Sequence, residues 1–189
     1  MYKGMFRDEQ LQEKFIEIVK GLSQQVTAFD MVVGGPGEDS TGLFGLSYVI
    51  HCKDAVKTKA LLGDYATLLK QMIVASLPQS DPEAVEKLQI KLNKGVETVA
   101  GVSVDAVEVT HPEMATMAER ERQEMATVLG EDKIRFFLAS PDKQTVVATF
   151  GGGKGYLANA LQAVKQGKSL SDDAEVKKVL QKLPENPTM

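Results

Sequence analysis

Three pairs of short β-type segments, each followed by a helical segment, constrain the fold more than any other feature of this sequence. The pairs are 29–33 with 43–51, 88–92 with 102–109, and 134–139 with 145–150. The third pair is the clearest, because a compact turn, Ser140-Pro141-Asp142-Lys143, joins its segments. Strands that are joined in hairpins become antiparallel neighbours in a sheet. The sequence therefore predicts an α+β fold, with an antiparallel sheet built from three ββα units and helices packed mainly on one face.

Helical periodicity predicts where the helices lie. The first spans 7–23 with one apolar face, and Gly21 is expected to help end it; that face carries Leu11, Phe15, Ile18 and Leu22. Further helices are predicted after Asp54, over 112–129, between Gly155 and Gly167, and over 172–183. The helices predicted over 7–23 and 172–183 flank the ββα units. In the second unit, Asn93-Lys94-Gly95 has the composition of the connecting turn.

Length and charge narrow the class of protein. The 189 residues predict a single α+β domain or a fragment of a larger protein, with a soft boundary near the proline-containing stretch 77–84. Basic and acidic residues number 22 and 26 without a basic cluster, so nucleic acid is not an expected partner. The sequence contains no run of about 20 apolar residues, so we predict no transmembrane segment. The single cysteine, Cys52, excludes an internal disulfide and any metal site with several thiolates.

One candidate site is a weak anion site at Gly151, Gly152, Gly153 and Lys154, between a strand and a helix. Backbone N–H groups at a helix N-terminus attract anions, and the lysine adds a positive charge. The pattern departs from a P-loop, because Ala148 replaces the first glycine and Gly155 replaces the Ser or Thr that would bind magnesium. A flexible turn that needs positive φ angles is the favoured explanation of the glycines, and we expect no nucleotide to bind.

Other chemistry-bearing residues form no recognisable catalytic or metal-binding pattern. His51 and Cys52 are adjacent on a strand, where successive side chains point to opposite faces, so Cys52 is expected to be buried and unreactive. Glu38, Asp39 and Ser40 lie in one loop but lack the spacing of an EF-hand calcium site. We therefore predict no catalytic residues, no metal and no cofactor.

Two stretches carry a resemblance to a group of known proteins. They are Gly101–Val109, and the run from Lys133 through the 145–150 strand and the Leu161 helix to Leu183-Pro184-Glu185-Asn186-Pro187. About half of the chain thereby resembles exported bacterial proteins, planctomycete-like ones in particular, which have repeated ββα units and no assigned active site. The resemblance implies an extracytoplasmic location and a longer parent polypeptide. It also implies a further strand after the Leu-Pro-x-Asn-Pro turn, which would either extend this sheet or begin the next unit. If it extends this sheet, a chain without it has an edge open to self-association.

Three functional hypotheses follow. The leading one is a non-enzymatic interaction or structural domain of a larger exported bacterial protein, with a protein or small molecule as its partner. The second is a ligand-binding module that uses the groove between sheet and helices, with the loops Gly34–Gly42 and Gly151–Gly155 as its rim. The third is a hydrolase or transferase in which His51, His111 and Asp105 come together only in three dimensions.

Overall fold

The computed structural model describes residues 9–35, 41–76 and 87–167. The helices and strands in chain order are α1 (Glu9–Gln25), β1 (Val26–Gly34), β2 (Gly45–Cys52), α2 (Ala55–Ser76), β3 (Gln89–Val99), β4 (Val102–Thr110), α3 (Pro112–Thr116), α4 (Glu119–Leu129), β5 (Ile134–Ala139), β6 (Thr145–Gly151) and α5 (Gly153–Lys165). The helix predicted over 172–183 and the turn after it lie outside these residues.

The six strands form one sheet in the order β1-β2-β6-β5-β4-β3. Every neighbouring pair in it is antiparallel. Strands from before and after the stretch 77–86 thus belong to the same sheet. The predicted α+β class, the antiparallel sheet and the three hairpins are confirmed.

The helices lie on both faces of the sheet, which differs from the expectation of one face. α2 packs on one face, where Ala66 contacts Val107 and Leu138. α5 packs on the other, where Leu157 and Leu161 join a core with Val104, Ala106, Phe137, Ala139 and Val147. The reason is topological: α2 carries the chain across one face from β2 to the far edge, so the helix that follows β6 finds the opposite face open. We call these the α2 face and the α5 face.

The second hairpin turns later than the sequence predicts. Its two-residue turn is Ala100-Gly101, and both residues have positive φ angles, 48° and 76°. This is the conformation that matches the twist of two adjoining antiparallel strands. The predicted turn at 93–95 instead lies in a β-bulge, where the register shifts between Asn93 and Glu97. A buried carboxylate, Asp105, accepts a hydrogen bond from the Gly95 N–H at 2.9 Å and so holds the bulge in place.

Two predicted helices also differ from the structure, one in where it ends and one in being interrupted. α1 continues past Gly21 and leads directly into β1. Gly21 instead lets α1 approach α2, because a Cβ at this position would lie 3.0 Å from a methyl group of Leu61. The helix predicted over 112–129 consists of two helices, α3 and α4, and Gly130 ends the second in a left-handed conformation, as its sequence position indicates.

Candidate interaction surface

A continuous apolar row crosses four strands on the α2 face. Val33 pairs with Leu46, Leu46 with Phe150, and Phe150 with Phe136. The rings of Phe136 and Phe150 stack with centroids 4.6 Å apart. Because directly opposed side chains of a sheet point to the same face, these four residues form one surface. We refer to Val33, Leu46, Phe150 and Phe136 as the apolar row.

The apolar row lies outside the area that α2 covers. α2 packs on Val146, Leu138 and Val107, and so moves away from β1 as it crosses the sheet. Val33 is left 58% exposed and Phe136 40%. Beside the row, Met31 pairs with Tyr48, and Met31 is 55% exposed. Leu46 and Phe150, in the middle of the row, are half-buried. Exposed apolar residues grouped in this way typically mark an interaction site in a folded protein.

This surface extends to the β1 edge of the sheet. β1 pairs only with β2 within the described sheet, so its outward backbone groups have no strand beside them. Phe29, Met31 and Val33 alternate along β1 on the face of the apolar row, and all three are more than half exposed. The only charged residue of the strand, Asp30, lies on the other face. β1 therefore offers backbone hydrogen-bonding groups and apolar side chains together.

The opposite edge, β3, has the features that prevent strand addition. It carries a bulge between Asn93 and Glu97, and Lys91 and Lys94 are exposed on it. Bulges and lysines are the usual means by which edge strands avoid pairing with other chains. β1 contains neither a lysine nor a proline, and its pairing with β2 is regular from Ala28 to Gly34. Of the two edges of the described sheet, β1 is the one that is open to a partner.

The predicted anion site lies at the start of α5, and its residues have structural roles there. Gly151, Gly152 and Gly153 have φ angles of 71°, 70° and 62°, so the turn needs glycine at all three positions. Lys154 makes an ion pair with Glu97, with Nζ and Oε2 2.5 Å apart. The carboxylate of Glu97 compensates the lysine charge and adds a negative charge near the helix N-terminus. The anion site stays a prediction, and its lysine already has a partner.

The two loops predicted to form the rim of a ligand groove contact one another. The backbone N–H of Thr41 donates to the Gly152 carbonyl at 3.3 Å. The Thr41 hydroxyl donates to the Gly130 carbonyl at 2.8 Å, and its oxygen lies 2.6 Å from where a Cβ of Gly153 would be. Thr41 thus fills the space beside the start of α5. Glu38, Asp39 and Ser40 lie outside the described residues.

The structure separates the three residues of the hydrolase hypothesis. His51 faces the α5 side of the sheet and pairs with Asp30, with Nε2 and Oδ2 3.2 Å apart in an exposed position. Asp105 faces α2, where it binds Lys59. His111 follows β4 at the opposite end of the sheet from His51. No arrangement for proton transfer to a bound substrate results from these positions.

Cys52 is buried, as the sequence predicts, and its thiol donates to the carbonyl of Gln144 at 3.3 Å. Within residues 9–35, 41–76 and 87–167, no three His, Cys, Asp or Glu side chains are grouped so that they could hold a metal ion. None of the helices in this part of the chain is long and apolar enough to cross a membrane.

The comparisons with known proteins add no assignment, since no family model, curated protein or solved structure matches this chain. No pattern in the sequence indicates the apolar row or the open β1 edge. The residues 29–33 predicted a strand, but the pattern held no information on which helix would cover either of its faces. The strand order determines this cover, because it leaves β1 at an edge that α2 does not reach.

Proposed function

We propose that this chain is a non-enzymatic interaction domain, which binds an extended apolar segment of a partner protein at the β1 edge. The observation that carries this proposal is the apolar row where it continues onto β1. A partner strand beside β1 would satisfy the outward backbone groups, and its alternate side chains would extend the row by one strand. Recognition by strand addition takes its affinity from main-chain hydrogen bonds and its specificity from such alternate side chains.

The setting of this interaction belongs to the proposal as well. The resemblance to exported bacterial proteins supports an extracytoplasmic location and a place within a longer polypeptide. The ligand-groove hypothesis has less support, because Thr41 fills the space between its two rim loops. The hydrolase hypothesis has less support, because His51 and Asp105 lie on opposite faces of the sheet.

A displayed library of random peptides of about 12 residues tests the proposal, with the chain at about 1 µM so that binding is measured on dilute protein. We expect enriched peptides to alternate apolar and polar residues, and to slow amide hydrogen exchange along β1. Met31→Lys should abolish their binding, because it places a charge in the middle of the edge. Val56→Lys is the matched control, since Val56 is an exposed apolar residue that lies on α2 and not on β1.

Peptides that bind the Met31→Lys variant as well as the original chain would refute the proposal. Protection of amides on β3 or α5 instead of β1 would refute it too. Met31 is more than half exposed, so we expect the lysine variant to fold, and far-ultraviolet circular dichroism checks this directly.

A further inference from the structure

The regular part of β1 can pair with the same segment of a second copy about one central residue. Pairing with β2 is uninterrupted over Ala28–Gly34, and the register shift precedes this segment, between Val26 and Ala28. Met31 is the middle residue of these seven. If two such segments run antiparallel with Met31 opposite Met31, all seven residues of each find a partner.

We propose that the strand that binds at β1 is β1 of a second copy of this chain. The two sheets then join about a two-fold axis at Met31 into one sheet that contains the six described strands of each copy. This inference rests on the proposed function, because it names the partner for the same edge. It accounts for an apolar strand at an edge with no lysine, proline or bulge in its regular part.

Charge and side-chain size select the register. With Met31 at the axis, Phe29 of each copy lies opposite Val33 of the other, so three apolar pairs extend the apolar row across the junction. A shift of the axis by one residue to Asp30 would place two carboxylates directly opposite each other, and like charges in opposed positions destabilise a sheet. A shift to Val32 leaves only residues 30–34 of each strand paired. Met31 gives the longest overlap without opposed charges.

The size of the contact predicts a weak dimer. Seven residues of a strand span about 24 Å, and the side chains that meet are the three exposed apolar residues of each strand. A standard stable interface takes about 800 Å² from each partner, more than one strand edge supplies. Each copy also carries a net charge of −4, so added salt should strengthen the dimer by screening this repulsion. We expect dissociation constants between about 10 µM and 1 mM.

Sedimentation equilibrium between about 10 µM and 1 mM tests the inference. We expect the average mass to rise from 20.5 kDa toward twice that value as concentration increases. Met31→Lys should keep the mass at 20.5 kDa throughout, since two lysines would then meet at the axis. Val56→Lys, with the same change of charge on α2, should dimerise as the original chain does. A single mass at all concentrations, or a dimer that Met31→Lys leaves unchanged, overturns the inference.

A cysteine crosslink tests the register. Opposed residues in antiparallel strands have Cα atoms about 4.5–5.5 Å apart, within the range that a disulfide spans. Under a mild oxidant, Met31→Cys should give a covalent dimer, while Asp30→Cys, which faces Val32 of the other copy, should give several-fold less. The unmodified chain is the control, because its Cys52 is buried. Equal crosslinking of both variants overturns the two-fold register at Met31.

The two proposals fail in different ways. If dilute protein binds alternating peptides at β1 while concentrated protein stays monomeric, the second copy is excluded as the partner and the interaction edge stands. If neither peptides nor a second copy bind at β1, both proposals are wrong.

Discussion

Asp105 joins three parts of the fold through one buried carboxylate, and its replacement should show how strongly they depend on it. Its side chain is 9% exposed, and Oδ2 lies 3.1 Å from Nζ of Lys59 on α2. Oδ1 accepts the N–H of Gly95 in the β3 bulge. A hydrogen bond to a charged group contributes about 1.5–3 kcal/mol. Lys59 is 21% exposed and can regain some water, so we expect Asp105→Ala to lower the free energy of unfolding by about 3 kcal/mol.

A double-mutant cycle separates the ion pair from the bulge. Asp105→Asn retains an oxygen for the Gly95 N–H but removes the charge that Lys59 binds. Lys59→Met leaves the carboxylate buried with one donor fewer. We expect Asp105→Asn and Lys59→Met each to lower the free energy of unfolding by about 2 kcal/mol. The double variant should lose at least about 1 kcal/mol less than the sum of the two single losses, because the second change removes a charge that the first left unpaired.

Urea unfolding at pH 7, followed by circular dichroism, measures all four free energies. The exposed pair Arg120–Glu124 on α4 is the control, and its coupling should be no more than about 0.5 kcal/mol. If the effects of Asp105→Asn and Lys59→Met add within about 0.5 kcal/mol, the assigned ion pair does not stabilise the fold. The reasoning from burial would then be refuted.

Four further predictions concern Ala100, Gly130, Cys52 and the glycine turn before α5. Ala100→Gly should raise the stability by about 1 kcal/mol, because Ala100 has a φ of 48°, and a lower melting temperature would contradict the assigned turn. Gly130→Ala should lower the free energy of unfolding by more than about 2 kcal/mol, since φ is 79° and a Cβ would collide with the carbonyl of Thr41; an unchanged urea midpoint would contradict this. Cys52 should react with Ellman's reagent only after denaturation, and rapid labelling of the native thiol would contradict this. ATP, GTP and NAD should leave the melting temperature unchanged, and a shift in melting temperature that Lys154→Ala abolishes would contradict this.

Local patterns predicted the elements of this fold well, and errors arose where distant residues determine the structure. The hairpin 134–139 with 145–150 and the helix after it occur as predicted, because the turn and the apolar spacing lie within one short stretch. Gly21 was expected to end a helix, but Leu61 of α2 packs on it, and no local pattern records that contact. The turn predicted at 93–95 is a bulge, because Asp105 binds the Gly95 N–H from the next strand.

The two-sided arrangement of helices did leave a signal in the sequence. Val146 and Val147 are consecutive and both buried, as in strands that are covered on both faces. A strand covered on one face alternates apolar and polar residues instead. The apolar row left no such signal, because an exposed Phe136 and a buried Leu138 are equally apolar in sequence. Only the path of α2 across the sheet distinguishes the two.

The strand order also determines when this protein can complete its sheet during synthesis. β6 lies between β2 and β5, so the last of the described strands to be made joins the first hairpin to the other three described strands. Gly45 pairs with Gly151, which the ribosome adds about a hundred residues later, roughly 5–20 s at ordinary rates of elongation. Until then both edges of the β1–β2 hairpin are unpaired. A nascent chain of this topology therefore has a long interval in which chaperones or neighbouring nascent copies can reach its apolar strands, and its folding is limited by closure of that distant contact.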